Sequence, residues 1–183
     1  AALQTHHRAN PVERVAAKDL AGRAAVAAGC PRQLAGSLLD ALARAGTIVA
    51  EGPGLRHPDH AVRLDPAQAD ARRSLLAELD AAGCNPPALR DVAGQAKASP
   101  ALLREMEAAG DLVRLGPDIA MSAGAVGGAI DQLRTAFAAE GPMTAARAKE
   151  VLRTSRKYAL PLLEELDRRG VTRRRGDVRD VTG

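Results

Sequence analysis

Between Thr154 and Val181 the chain reads TSRKYALPLLEELDRRGVTRRRGDVRDV, and its basic side chains are spaced to meet a polyanion. Arg156 and Lys157 stand next to Tyr158, while Arg173, Arg174 and Arg175 form an unbroken run followed by Arg179. Guanidinium groups can bracket phosphate oxygens with paired hydrogen bonds, and lysine adds a compact point charge. Tyr158 is close enough in sequence to stack on an unpaired base, a contact worth ~1–3 kcal/mol in single-strand binders. The competing reading is a solvated charged face with Tyr158 in the core. The distribution of charge favours binding. Residues 1–122 hold 14 Lys or Arg against 14 Asp or Glu, whereas residues 123–183 hold 12 against 8. The whole surplus of the +4 chain therefore lies at one end, where a polyanion would be drawn.

Other chemistry is poorly represented. No GxxxxGK[ST] loop is present to cradle a nucleotide, and neither GxSxG nor HExxH occurs. Glu164 and Glu165 sit beside Arg168 and Arg169 at helical spacing, which reads as solvated ion pairing and not acid–base catalysis. Cys30 and Cys84 lack a CxxC or a Cys-His neighbourhood and read as reduced, structural thiols. His57-Pro58-Asp59-His60 could clip a metal or touch a phosphate, but such a loop more often only turns the chain. No catalytic residue and no metal site is therefore assigned.

The elements that position the basic residues follow from periodicity. Ala159, Leu162, Leu163 and Leu166 recur at i, i+3, i+4 and i+7, the stripe of an amphipathic helix capped near Thr154 or Ser155. Gly170 ends that helix, with Arg168 and Arg169 in its last turn. A strand through Arg173–Arg175, a turn at Gly176-Asp177 and a return through Val178–Val181 complete a recognition helix and β-wing. Alternation puts Arg173 and Arg175 on one face and Arg174 on the other. Pro161 lies inside the helix, where it removes a hydrogen bond, so a kink or a loose leading segment is expected there.

The same pattern occurs three times. Leu38-Leu39, Leu42 and Gly46 are echoed by Leu102-Leu103, Met106 and Gly110, and again by Leu162-Leu163, Leu166 and Gly170. Gly52, Gly116 and Gly176 follow in each copy. This spacing suits winged helices better than a solenoid. The expected architecture is mainly α with small β-wings: three tandem winged-helix (helix-turn-helix) domains at 1–64, 65–122 and 123–183, the first with a truncated leading helix. In the first copy, helices are expected over Lys18–Ala28 and to Ala45. A strand then covers Thr47–Ala50, and a long wing over Gly52–His60 returns through Ala61–Leu64. The second copy opens at Asp65-Pro66 and places helices to Ala82, over Leu89–Ala93 and from Ser99-Pro100 to Gly110. In the third, a helix buries Ile130, Leu133 and Phe137, and Thr144 caps the next.

An apolar share of 46% with only 1% aromatic residues favours several small helical units over a β-sandwich. No stretch approaches the ~20 apolar residues of a membrane span, and nothing resembles a cleavable signal, so a cytoplasmic protein is expected. DNA readers of this class place a recognition helix in the major groove and usually pair half-sites. Here a single copy carries the net charge, which suits an RNA loop or bulge better. A tandem winged-helix transcriptional regulator that binds DNA is the alternative, and a protein-interaction scaffold a third reading.

The run from Ser155 to Asp177 closely resembles the end of the bacterial selenocysteine-specific translation elongation factor family. Its last repeat carries a similar S/G-R-K-x-(A/V)-x-x-x-L-L-E-x-x-D-x-x-x-(F/V)-T-R-R-x-G-(D/N) pattern. HHRANP near the start and HPDHAVRL at His57–Leu64 resemble the family more weakly. The resemblance implies winged helices two, three and four of a family that has four after its GTPase. It further implies that the last one binds the hairpin (SECIS) in messenger RNA that recodes UGA as selenocysteine. The matching contacts are Ser155, Arg156, Lys157, Tyr158, Arg173, Arg174 and Arg175, to which the basic return strand adds Arg179. A hinge would fall near Leu64–Pro66. The GTPase and first winged helix are missing from this stretch, so it is expected to be a non-enzymatic fragment without a cofactor. GTP and magnesium would belong to the missing N-terminal domain. Ribosome and selenocysteyl-tRNA would be partners through the full-length protein, with no membrane partner and a monomeric state.

Overall fold

In the computed structural model, which describes residues 1–182, the chain is mainly helical with small antiparallel sheets. It divides into two compact units, Ala1–Ala67 and a second beginning at Gln68. Among the described residues no helix is long and apolar enough to cross a membrane.

The first unit contains α1 (Ala2–Ala9), β1 (Ala16–Ala17) and α2 (Lys18–Ala27), then a 3-10 turn (Arg32–Leu34) that runs into α3 (Ala35–Arg44). Strands β2 (Val49–Glu51) and β3 (Gly54–Arg56) follow, with β3 between β1 and β2. The wing is thus shorter than the sequence suggests. The chain turns at Gly52-Pro53 and returns at once through Gly54–Arg56, not through Ala61–Leu64. Two contacts hold this register: Leu55 is buried with Leu3, Ala16 and Ile48, and Arg56 donates to Glu51 across the hairpin at 3.0 Å.

Gly54 is required by close approach. A Cβ there would lie 2.5 Å from Val15 Cγ2 and 2.8 Å from the Ala16 carbonyl oxygen. Gly54→Ala is expected to destabilise this unit by ~1–3 kcal/mol, the usual cost of overpacking. Urea unfolding followed through the histidine NMR signals checks this, since all four histidines lie in the first unit.

Those histidines form a cluster. His7 stacks on His60 with ring centroids 3.7 Å apart and planes 7° from parallel, and meets His6 edge-on at 5.5 Å. Burial, then the His60 and His6 imidazoles, lower the His7 pKa from 6.5 to about 4; the Glu13 carbonyl pulls the other way. The unfolded chain therefore takes up a proton near pH 6.5 that the folded chain refuses until about pH 4. Stability is accordingly present above that window and lost as pH falls through it. The expected loss for the first unit is on the order of 2 kcal/mol, measured as the urea midpoint at pH 7 and pH 4.5. His7→Leu should flatten the dependence.

The second unit takes in α4 (Pro66–Ala82) from Gln68 onward, then α5 (Leu89–Gln95), α6 (Pro100–Ala109), β4 (Leu112–Gly116) and β5 (Ile119–Ser122). It continues with α7 (Ala123–Glu140), β6 (Met143–Thr144), α8 (Ala145–Val151), α9 (Arg156–Arg168), β7 (Thr172–Arg175) and β8 (Val178–Val181). Helix starts are set by side chains that accept orphan amides: Ser99 from Leu102, Ser122 from Ala125 and Thr144 from Arg147. Residue 122 ends β5 and caps α7, so no linker intervenes at the boundary expected after Ser122. One apolar core crosses it, joining Cys84, Val113 and Met121 to Leu133, Phe137, Leu162, Leu163 and Leu166. The repeated helix-ending glycines, Gly46, Gly110 and Gly170, all take positive φ (73°, 82° and 70°).

Helix α9 runs unbroken through Pro161. Its first turn is not loose: the Ser155 carbonyl accepts from both Tyr158 and Ala159 amides, at 3.1 and 2.9 Å. Proline falls early enough in the helix that the missing amide frees only the Lys157 carbonyl, in the leading turn. Three apolar anchors after it (Leu162, Leu163 and Leu166) are each at most 1% exposed and hold the rest.

Candidate nucleic-acid interface

The turn between α8 and α9 presents the first group of cations. Arg153 adopts φ +49°, unusual for a residue with a Cβ. The chain on either side is pinned from the α4–α5 connection. The Thr154 hydroxyl donates to the Cys84 carbonyl at 2.6 Å, and the Asn85 side-chain amide donates to the Arg153 carbonyl at 3.1 Å. Burial of Cys84 pushes its thiol pKa up, as suits a structural thiol. Next in the chain, Ser155 takes the N-cap position but its hydroxyl makes no cap hydrogen bond. Arg156 and Lys157 are exposed, and Tyr158 is half-buried. The Lys157 ammonium lies 5.0 Å from the Tyr158 ring centroid and 3.5 Å from its hydroxyl. Cation and ring thus face the solvent together; a stacking base would displace the ammonium or use the other ring face.

The wing supplies the second group. Strand pairing sets Thr172 opposite Val181, Arg173 opposite Asp180, Arg174 opposite Arg179 and Arg175 opposite Val178. Thr172 and Arg179 are buried, so their face turns inward, and Arg173 and Arg175 project from the other. Arg174 shares the inward face but sits at the open end, exposed, where its Nε donates to the Gly176 carbonyl at 2.9 Å.

Arg179 does not belong with them. It is 5% exposed and its Nε donates to Asp167 Oδ2 at 2.9 Å, while Asp167 Oδ1 accepts the Thr172 hydroxyl at 2.6 Å. A guanidinium so placed fastens β8 to α9 and is not available to a ligand. Sequence alternation alone would have put it opposite Arg174, facing in; the run of arginines masked that. Glu165 also departs from expectation. It is buried, not on the exposed side, and accepts from Arg168 at 2.5 Å and Arg169 at 2.6 Å. Burial pushes its pKa up, but the two guanidiniums outweigh this and hold it below the usual carboxylate range.

A sorting of cations results. Arg168 and Arg169 both pair with Glu165, Arg179 pairs with Asp167, and Arg147 with Glu140 and Glu150. Hydrogen bonds donated to Glu140 and Glu150 push the Arg147 pKa up, and Arg147 lowers that of Glu140. Among the described residues, Lys149, Arg153, Arg156, Lys157, Arg173, Arg174 and Arg175 have no ion-pair partner, and neither has Arg134 on α7. Lys149 and Arg153 were not singled out from sequence. Their signal was membership of the basic stretch; their place beside Arg156 depends on a turn clamped by Asn85.

The wing and the start of α9 each approach α8. Strand β8 pairs with β6 on its other side, setting Val178 opposite Thr144. Val178 therefore stands between Arg175 and the residue that caps α8, and two strand spacings amount to about 10 Å. The first turn of α8 then lines, with Ala145, Ala146 and Lys149, a cavity of about 130 Å³ shared with Arg156, Ala159 and Leu160. Unpaired cations at the wing and at the α9 start thus flank one end of the last helical layer. Such a surface can grip a phosphate backbone at two points and admit a base between them.

Residues 135–180 match the family described as elongation factor SelB, winged helix. The selenocysteine-specific elongation factor of Desulfomicrobium baculatum is 26% identical over 148 residues, covering 79% of this chain and 23% of that protein. The chain thus spans about a quarter of the length of the curated relative it matches. Two solved structures share the fold. One is the mRNA-binding domain of elongation factor SelB from E. coli in complex with SECIS RNA (TM-score 0.50, 23% identity, 63% of this chain and 99% of that one). The other is the bacterial selenocysteine-specific elongation factor EF-Sec (TM-score 0.53, 20% identity, 83% of this chain and 25% of that one).

Proposed function

We propose that the chain is the C-terminal part of a selenocysteine-specific elongation factor and binds a messenger-RNA hairpin through its last winged helix. The observation that carries this is the sorting of charge: Arg147, Arg168, Arg169 and Arg179, on α8, α9 and β8, are held by carboxylates, whereas the cations at the α9 start and on the outer wing strand are not. The hairpin would be gripped by Arg173, Arg174 and Arg175 on the wing and by Ser155, Arg156, Lys157 and Tyr158 on the helix, with Lys149 and Arg153 alongside. The likeness of the last segment to SelB supports the same reading. We read the chain as three tandem winged helices, 1–64, 65–122 and 123–183, in which the last two share a core and the first two set the reach of the third. In this proposal the chain performs no catalytic step. GTP, magnesium, selenocysteyl-tRNA and the ribosome would engage other parts of a cytoplasmic protein, itself a monomer.

Competition between a SECIS-type hairpin and duplex DNA of equal length tests the proposal against a DNA-binding regulator. Hairpin RNA should win at ~0.15 M salt, and its affinity should fall steeply as salt rises, since four to six phosphate contacts release that many counterions. Arg156→Ala should narrow the gap between the cognate hairpin and a loop mutant. Preference for duplex DNA would reject the hairpin reading.

A further inference from the structure

We propose that the first unit carries a phosphate-binding pocket built by Arg8 and Arg63 with His57 and His60. A concavity of about 390 Å³ lies between α1, which contributes Gln4, His7 and Arg8, and the segment after β3, which contributes His57, His60 and Arg63. This volume is in the range of small-ligand sites and exceeds what one inorganic phosphate fills, so a phosphate carrying a larger group fits it.

Charge points to an anion. Within this unit Arg14 and Arg56 pair with Glu51, and Arg23 pairs with Asp19. Arg8 and Arg63 are exposed and have no ion-pair partner among the described residues. The Arg63 amide donates to the Pro11 carbonyl at 3.0 Å, which ties its strand of chain to the end of α1. One carboxylate, Asp59, also lines the pocket; its side chain is 90% exposed and 3.7 Å from His57 Nδ1, at the rim.

The imidazoles do not converge on a metal. His60 Nε2 lies 2.9 Å from the Glu13 carbonyl, His57 Nδ1 accepts from the Asp59 amide at 3.3 Å, and His7 Nε2 accepts from the His57 amide at 3.4 Å. The parallel stack of His7 and His60 keeps their nitrogens from meeting at one point. His7 is 5% exposed, and its Nδ1, which carries the proton when Nε2 accepts, makes no hydrogen bond of good geometry among the described residues. The Gln4 amide, 3.2 Å from His57 Nε2, orients the outer ring.

The shared chemistry is a phosphate group, whether of a free nucleotide or of an RNA backbone. The histidine ring signals of the whole chain report on this unit alone, so long-range proton–nitrogen spectra are the readout. Inorganic phosphate, adenosine monophosphate and a short unstructured RNA are titrated at constant ionic strength, with chloride as control. The expected result is saturable movement of the His57 and His60 signals by phosphate and not by chloride. Affinity should weaken at least about tenfold in Arg8→Gln/Arg63→Gln, whose His7–His60 signals remain at their wild-type positions and so report an intact fold. If the double variant loses those signals, each single variant is measured, with about half the effect expected on a logarithmic scale. Tighter binding of the monophosphate assigns the pocket to nucleotides, and tighter binding of the RNA assigns it to a backbone. Shifts that rise linearly without saturation for every probe, or are unchanged in the variants, overturn the proposal.

Discussion

Arg173→Ala combined with Arg175→Ala should weaken binding of the cognate hairpin by about 30- to 150-fold at ~0.1 M salt, with no loss of fold. Hydrogen bonds to charged groups contribute ~1.5–3 kcal/mol each; solvent around an exposed wing reduces this to ~1–1.5 kcal/mol per arginine. Both side chains project from the face of β7 opposite the buried Thr172, so they can reach one ligand together. Neither makes an ion pair, so their removal strands no carboxylate. The salt dependence gives the sharper signature: the slope of log affinity against log salt should fall by about two, one for each phosphate contact removed. Arg168→Ala is the control, because its charge is already held by Glu165. Fluorescence anisotropy at several salt concentrations measures all three quantities. An unchanged affinity and slope in the double variant would remove the wing from the interface.

Asp167→Ala should cost about 3 kcal/mol of stability in the second unit, more than any single change at the exposed cations. Its two carboxylate oxygens hold the Thr172 hydroxyl on β7 and the Arg179 guanidinium on β8, so one side chain on α9 fastens both wing strands. Removing one partner of a buried pair leaves the other charge uncompensated, a loss of ~3–5 kcal/mol. The lower end applies because the Asp167 side chain is 23% exposed, against 6% for Arg179. Asp167→Asn keeps one acceptor oxygen, replaces the other by an NH2 donor and removes the charge, and should fall between. Urea unfolding gives the stability difference, and hairpin affinity below the transition gives the effect on the wing. A change under about 0.5 kcal/mol would mean that Arg179 finds water or another acceptor, and that the wing does not depend on this anchor.

Much of this protein was legible in its residues because the signals are local. The apolar spacing of Leu162, Leu163 and Leu166 sets α9, Ser99, Ser122 and Thr144 start helices by accepting their orphan amides, and glycine at residues 46, 110 and 170 ends them. A surplus of cations after residue 122 is likewise a property of the chain alone. Other features depend on what each group meets across the fold. Whether an arginine binds a ligand or anchors a strand is decided by the carboxylate it finds: Arg179 meets Asp167, twelve residues earlier, and Arg173 meets none. The first wing is short because Gly54 must fit against Val15 and Ala16, and no composition of the loop after it could reveal that. Lys149 and Arg153 lie beside Arg156 because Cys84 and Asn85, 68 to 70 residues away in sequence, clamp the turn at Arg153-Thr154. Periodicity and capping act between neighbours and can be read in order; burial and ion pairing join distant residues, and only tertiary structure chooses among the partners the chain offers.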